Sequence, residues 1–172
     1  PADANETASA WKFAIQHHGS PVALLLTRQG LPVLDQTKYP SSDNLFKGAY
    51  ILKDAEKPEV ILMASGSEVE LILKAAEKLE SEGKKVRVVS FPSWELFELQ
   101  SEEYKNSVLP KEVKTRVAVE AGVAQGWNKY TGDGGKIISI DKFGASAPDT
   151  VLFEKYGFTV ENILQHAKTL LK

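Results

Sequence analysis

The sequence predicts an α/β fold of three layers, a mostly parallel twisted sheet flanked by helices on both faces. Two observations carry this. Short apolar runs such as Val60-Ile61-Leu62-Met63-Ala64 and Val117-Ala118-Val119 lack the polar and apolar alternation of a half-exposed strand, as expected when both faces are covered. Stretches with helical apolar period, punctuated by Gly, Pro, Ser and Asp, alternate with these runs, and that order builds parallel sheets.

The elements follow in sequence order. Asp3 and Glu6 stand at N-cap and N3 spacing, and Ala8, Trp11, Ala14 and Ile15 recur at helical period, so a helix is expected from about Asp3 to His18, stopped by Gly19 and Pro21. Val22-Ala23-Leu24-Leu25-Leu26 reads as a buried strand. Residues from Gly30 to Lys47 carry Gly, two prolines, Asp, Asn and Ser with little period, a linker signature.

Strands are then expected at Ala49 to Leu52, Val60 to Ser65, Val86 to Phe91, Arg116 to Glu120 and Lys136 to Asp141. A helix from Ser67 to Ser81 presents Val69, Ile72, Leu73, Ala76 and Leu79 on one face and ends at Gly83; Ser65 with Glu68 and Ser67 with Glu70 both fit the capping-box spacing at its start. Shorter helices are expected near Trp94 to Leu99 and Glu102 to Ser107. Two helices close the chain, the last running from Thr159 with Val160, Ile163, Leu164, Ala167, Leu170 and Leu171 inward.

Composition narrows function. The chain has 172 residues, 42% of them hydrophobic, enough for one well-buried domain and a further piece, because a chain of this size buries about 70% of its unfolded surface. Its 21 basic and 23 acidic residues leave a net charge of −2, which creates no field for nucleic acid or acidic lipid, so small metabolites or protein partners are expected. Without cysteine it has no disulfide, zinc-thiolate site or thiol nucleophile. That is compatible with the cytosol, and a cytoplasmic location is expected. The longest apolar runs fall far short of the roughly 20 residues a membrane-spanning helix needs. The chain opens Pro1-Ala2-Asp3 without methionine and reads as a piece of something longer.

Arg28 is the leading candidate for chemistry. It follows the apolar run Val22 to Leu26 and precedes Gln29, Gly30 and Pro32, where a strand would surface. In sheets covered on both faces ligands sit beyond the carboxyl ends of the strands, and a guanidinium there offers a planar fork for phosphate or carboxylate. The competing reading is an Arg paired with a local carboxylate or lying in solvent.

Other constellations read better as structure. Ser65-Gly66-Ser67-Glu68 occupies a strand-to-helix turn but matches neither the G-x-G-x-x-G nor the Walker pattern, so a helix cap is expected. Ser93 before Trp94-Glu95 looks like an N-cap. His17 and His18 fall at a helix end and are expected in solvent, and His166 receives no role. Glu120 ends an apolar strand and is the best carboxylate for a hidden role, although a hydrogen bond to a neighbouring loop is the simpler use. Gly132-Asp133-Gly134 and Asn162 match the spacing of a magnesium-binding Asp and Asn in thiamine diphosphate enzymes, but the Gly-Asp-Gly element precedes a strand instead of following one and is better explained as a surface turn, and Asn162 falls in the first turn of the last helix.

Taken in order, Pro1-Ala2-Asp3-Ala4-Asn5-Glu6-Thr7, Thr27-Arg28-Gln29 with Leu31-Pro32, Ala64-Ser65-Gly66-Ser67-Glu68-Val69, Val86 to Phe97 through Pro92-Ser93-Trp94-Glu95-Leu96-Phe97, Val117-Ala118-Val119-Glu120-Ala121-Gly122 and Phe143-Gly144-Ala145-Ser146-Ala147-Pro148 resemble the carboxyl-terminal third of transketolases along essentially the whole chain. The resemblance implies that residues 1–32 are the last helix and strand of the pyrimidine-binding middle domain, 33–47 a linker and 48–172 the complete C-terminal domain. It implies a parent enzyme that moves a two-carbon ketol unit between ketose and aldose phosphates in the pentose phosphate pathway, with thiamine diphosphate and magnesium or calcium bound upstream of Pro1.

Arg28 matches the family arginine that grips the sugar phosphate. The resemblance supplies no catalytic, cofactor or metal residue in this chain, which is expected to be inactive alone and to support packing within a homodimer. Two alternatives stand beside this reading: an autonomous α/β module binding a small anion at Ser65-Gly66-Ser67, and the same region of dihydroxyacetone synthase.

Overall fold

The computed structural model of the protein describes residues 1–171. Five strands, β1 (Tyr50–Lys53), β2 (Val60–Ala64), β3 (Val86–Ser90), β4 (Arg116–Val119) and β5 (Lys136–Ile138), form one sheet in the order β1-β3-β2-β4-β5. β2 pairs in parallel with β3 and β4, and β4 with β5, whereas β1 runs antiparallel to β3. The sheet is thus mostly parallel, with one antiparallel edge.

The helices are α1 (Ala4–Gln16), α2 (Glu68–Ser81), α3 (Trp94–Glu98), α4 (Glu102–Val108), α5 (Asn128–Thr131), α6 (Asp149–Tyr156) and α7 (Val160–Leu170), with a 3-10 helix at Ser42–Lys47. Alternate strand residues divide the core into the two layers a doubly covered sheet requires. Leu62, Val88, Val117 and Val119 pack with Ile72, Leu79, Ile163 and Ala167 under α2 and α7. Ile61, Met63, Val89 and Ala118 pack on the other face with Phe91, Phe97, Trp127 and Tyr130. There the aromatic rings meet edge-on, Phe91 and Phe97 at 4.9 Å and Trp94 and Trp127 at 5.3 Å between centroids, a favoured arrangement. Complete burial of one aliphatic side chain such as Ile163 contributes about 1.5 to 3 kcal/mol.

Charge does enter a buried strand at Arg87 in β3, because its guanidinium is satisfied by Asp54 at 2.7 and 3.0 Å and by the carbonyls of Ser107 and Val108. No helix among the described residues is long and apolar enough to cross a membrane.

Three expectations change. Val22 to Leu26 form no strand. A strand needs a neighbour to complete its ladder, and none lies beside this segment among the described residues, so Leu25 stays 84% exposed. The first helix packs by the face opposite its apolar stripe: Glu6, Ser9 and Ala10 are buried, whereas Trp11 is 54% and Ile15 71% exposed. The segment with a linker signature is packed, its 3-10 helix joined to α1 where Ser9 Oγ meets Ser42 Oγ at 2.9 Å and Lys12 meets Asp43 at 2.7 Å.

Candidate functional site

The carboxyl edge of the sheet positions the chemistry of this chain. The chain leaves β2 for β3 on one side and returns to β4 on the other, so β2 and β4 flank the topological switch point where α/β folds usually open a ligand crevice. The start of the chain covers part of that edge. Asp3 caps α1, accepting from Glu6 N at 2.8 Å. Glu6 then turns inward, its carboxylate accepting from Ala2 N at 2.7 Å, the Tyr50 hydroxyl at 2.7 Å and Ser90 Oγ at 2.6 Å. All four residues are buried, so a single carboxylate joins α1 to the first residue of β1 and the last of β3.

At the switch point itself stand two more carboxylates. Glu68 is buried and accepts from Ala121 N at 3.0 Å and from Ser67 Oγ. Glu120 accepts from Ser65 Oγ at 3.1 Å, which links the β4 loop to the β2 loop as expected for this residue. Burial pushes the Glu68 carboxyl up to about 7; the Ser67 and Ala121 donors oppose the rise, and the facing Glu120 charge adds to it. Burial also raises Glu120, against the Ser65 hydroxyl and the indole N–H of Trp127. Trp127 Nε1 is buried near that carboxylate without a hydrogen-bond partner of normal geometry. Beside it lies an open depression of about 500 Å³ lined by Trp94, Glu120, Gly122, Val123, Gln125, Gly126 and Trp127.

This edge does not suit a diphosphate. The amides of Glu68 and Val69 at the start of α2 already bond to the Ser65 and Gly66 carbonyls, and two carboxylates face the space an anion would need. The capping boxes read from Ser65-Gly66-Ser67-Glu68 are not formed: Ser67 makes no side-chain cap, and Glu68 turns into the core. Asn162 spends its amide on the Gly157 carbonyl at 2.9 Å. Ser93 is the N-cap expected, accepting from Leu96 N. His17 stacks on Phe13 and meets Ser20 Oγ at 2.9 Å.

Arg28 is on the exposed segment between α1 and Leu34 and does not line that depression. Among the described residues its guanidinium has no hydrogen-bond or ion-pair partner, and the local contact is Thr27 Oγ1 donating to Gln29 Oε1. Sequence reasoning missed the Glu6 and Glu68 roles, since both fit helix-start spacing; Ser90, a hydroxyl ending an apolar strand, was the available sign of a buried polar partner.

A family model described as the transketolase-like TK C-terminal domain matches residues 48–159. A transketolase of Staphylococcus aureus (strain MW2) is 53% identical over 171 residues, covering 99% of this chain and 26% of that protein. One from Aquifex aeolicus is 53% identical over 164 residues, 95% of this chain and 24% of that protein. The solved structure of a transketolase from Pichia stipitis in complex with sedoheptulose 7-phosphate superposes with a TM-score of 0.90 at 40% identity, over 99% of this chain and 24% of that one. The chain thus spans about a quarter of the length of the relatives it matches.

Proposed function

Because this chain belongs to the transketolase family, we propose that it is the carboxyl-terminal part of an enzyme that transfers a two-carbon ketol unit from a ketose phosphate to an aldose phosphate. Arg28 binds the distal phosphate of the sugar in this reading. Residues 1–32 belong to the middle domain, 33–47 connect, and 48–172 form the terminal domain. The thiamine diphosphate and its magnesium or calcium are held by the rest of the protein in this reading, and the two carboxylates at this sheet edge disfavour a diphosphate there. The working enzyme is a cytoplasmic homodimer, and the chain alone has no activity.

The observation that carries the reading is the state of the Arg28 segment. Its guanidinium is uncommitted, and Val22, Leu25 and Leu26 before it are exposed, as are Trp11 and Ile15 on α1. Exposed apolar residues in such number call for a covering surface, and the relatives are about four times longer. Under this proposal the missing surface completes both the strand and the phosphate site. The test is a ketol-transfer assay with thiamine diphosphate and magnesium. The full-length enzyme should be active and the 172-residue chain inactive; transfer by the chain alone, or none by the full-length enzyme, contradicts the reading.

A further inference from the structure

Glu120 is a partly buried carboxylate with one oxygen still to be matched. Oε2 accepts from Ser65 Oγ at 3.1 Å, and the buried indole N–H of Trp127 lies toward the same carboxylate without a partner of normal geometry. No Lys or Arg pairs with it among the described residues. The positive charge that acts on it is the amino group of Pro1, which is a neutral amide in the full-length enzyme of the reading above. A carboxylate in that state costs free energy until a cation meets it.

The depression beside it is shaped within this chain, by Trp94 of α3 and by the loop between β4 and α5. Trp94 is held edge-on by Trp127, 5.3 Å away between ring centroids, and by Tyr130 at 5.7 Å. Two glycines keep side chains out of the space. A Cβ at Gly126 would lie 2.3 Å from Trp94 Cζ3, and one at Gly122 would lie 3.3 Å from Glu120 Oε1, the oxygen that Ser65 leaves open. At about 500 Å³ the depression has room for a small organic molecule.

We propose that this depression binds an organic cation, an ammonium or guanidinium group, through the Glu120 carboxylate and the ring of Trp94. A carboxylate beside an aromatic ring attracts such a group twice, by a charge-assisted hydrogen bond and through the negative face of the ring. No group of three His, Asp or Glu side chains that could hold a metal ion forms among the described residues, so the organic cation is the better match. The group comes either from a free small amine or from a Lys or Arg side chain in the rest of the full-length enzyme, and the two sources give different results.

The test uses the full-length enzyme with thiamine diphosphate and magnesium, titrated in a calorimeter at constant ionic strength with agmatine, which carries both an ammonium and a guanidinium group. If the site takes a free ligand, agmatine should bind with a Kd below about 10 mM. Glu120→Gln, which still accepts from Ser65 Oγ, should then weaken binding at least about 10-fold, and Trp94→Leu about 2- to 30-fold. If a side chain of the enzyme already fills the site, agmatine should not bind, and Glu120→Gln should lower the unfolding temperature because a buried cation loses its partner.

Gly122→Ala, which sets a methyl group against Oε1, should act in the same direction and covers the case in which Glu120→Gln folds poorly. Agmatine bound equally by wild type and Glu120→Gln, or no binding together with an unchanged or raised unfolding temperature in Glu120→Gln, would overturn the proposal. The second of these is the result expected of a buried carboxylate that meets no cation, since a neutral amide in its place relieves the burial penalty.

Discussion

Ser90 Oγ lies 2.6 Å from the Glu6 carboxylate, joining the end of a core strand to the first turn of the first helix across 84 positions of sequence. Tyr50 donates to the same oxygen at 2.7 Å and Ala2 N to the other at 2.7 Å. The polar face of α1 turns inward because the sheet edge supplies donors that match it.

Removing that carboxylate should therefore unfasten α1. Glu6→Ala strands three buried donors and should cost about 3 kcal/mol or more, since each unsatisfied buried group costs roughly 1 to 3 kcal/mol. Tyr50→Phe, which deletes one donor and leaves the acceptor paired, should cost about 1 kcal/mol. Urea unfolding of the chain measures both, and similar losses for the two variants would contradict the network.

The buried Glu68 predicts a pH dependence. Its carboxyl is pushed to about 7 in the folded chain from an ordinary 4.5, so the folded state holds more protons than the unfolded one between those values. Stability from this group is complete below pH 4.5 and falls as pH rises toward 7, by about 3 kcal/mol. Glu68→Gln, a neutral stand-in that still accepts from Ala121 N, should match the wild type near pH 4.5 and exceed it by about 2 to 3 kcal/mol at pH 8. Parallel stability curves for the two proteins would show that Glu68 does not titrate in this way.

Two glycines separate conformation from space. Gly48 has φ +83° and a Cβ there would lie 2.1 Å from Phe97 N and 2.4 Å from the Ser93 carbonyl, whereas Gly83 has φ +80° with nothing within 4 Å. Gly83→Ala should cost about 1 to 2 kcal/mol for the left-handed backbone. Gly48→Ala should cost at least about 4 kcal/mol, because backbone atoms cannot yield. Denaturation midpoints that ranked the two equally would contradict the packing at Gly48.

What the sequence disclosed depended on whether the partner was local. The apolar period of α2 and α7 and the unbroken runs of β2 and β4 were legible because each is set by its own residues and by cover on the sheet. The Ser93 cap and the link from Glu120 to a neighbouring loop were also readable.

Val22 to Leu26 read as a strand, yet a ladder requires a neighbour the pattern cannot specify. Trp11 and Ile15 marked an apolar stripe, but the inward face of α1 was chosen by Tyr50 and Ser90, far along the chain. Glu68 shared its spacing with a capping box, and only the fold distinguishes a capping carboxylate from a buried one.

The most direct test of the account is the donor preference of Arg28→Ala in the full-length enzyme with thiamine diphosphate and magnesium. Losing a charged phosphate contact should lower kcat/KM for xylulose 5-phosphate about 10- to 100-fold, while activity on hydroxypyruvate with an unphosphorylated aldehyde acceptor, a pair that has no phosphate to bind, stays near wild type. Equal activity of variant and wild type on both donors, or an equal loss on both, would contradict a phosphate-binding role for Arg28.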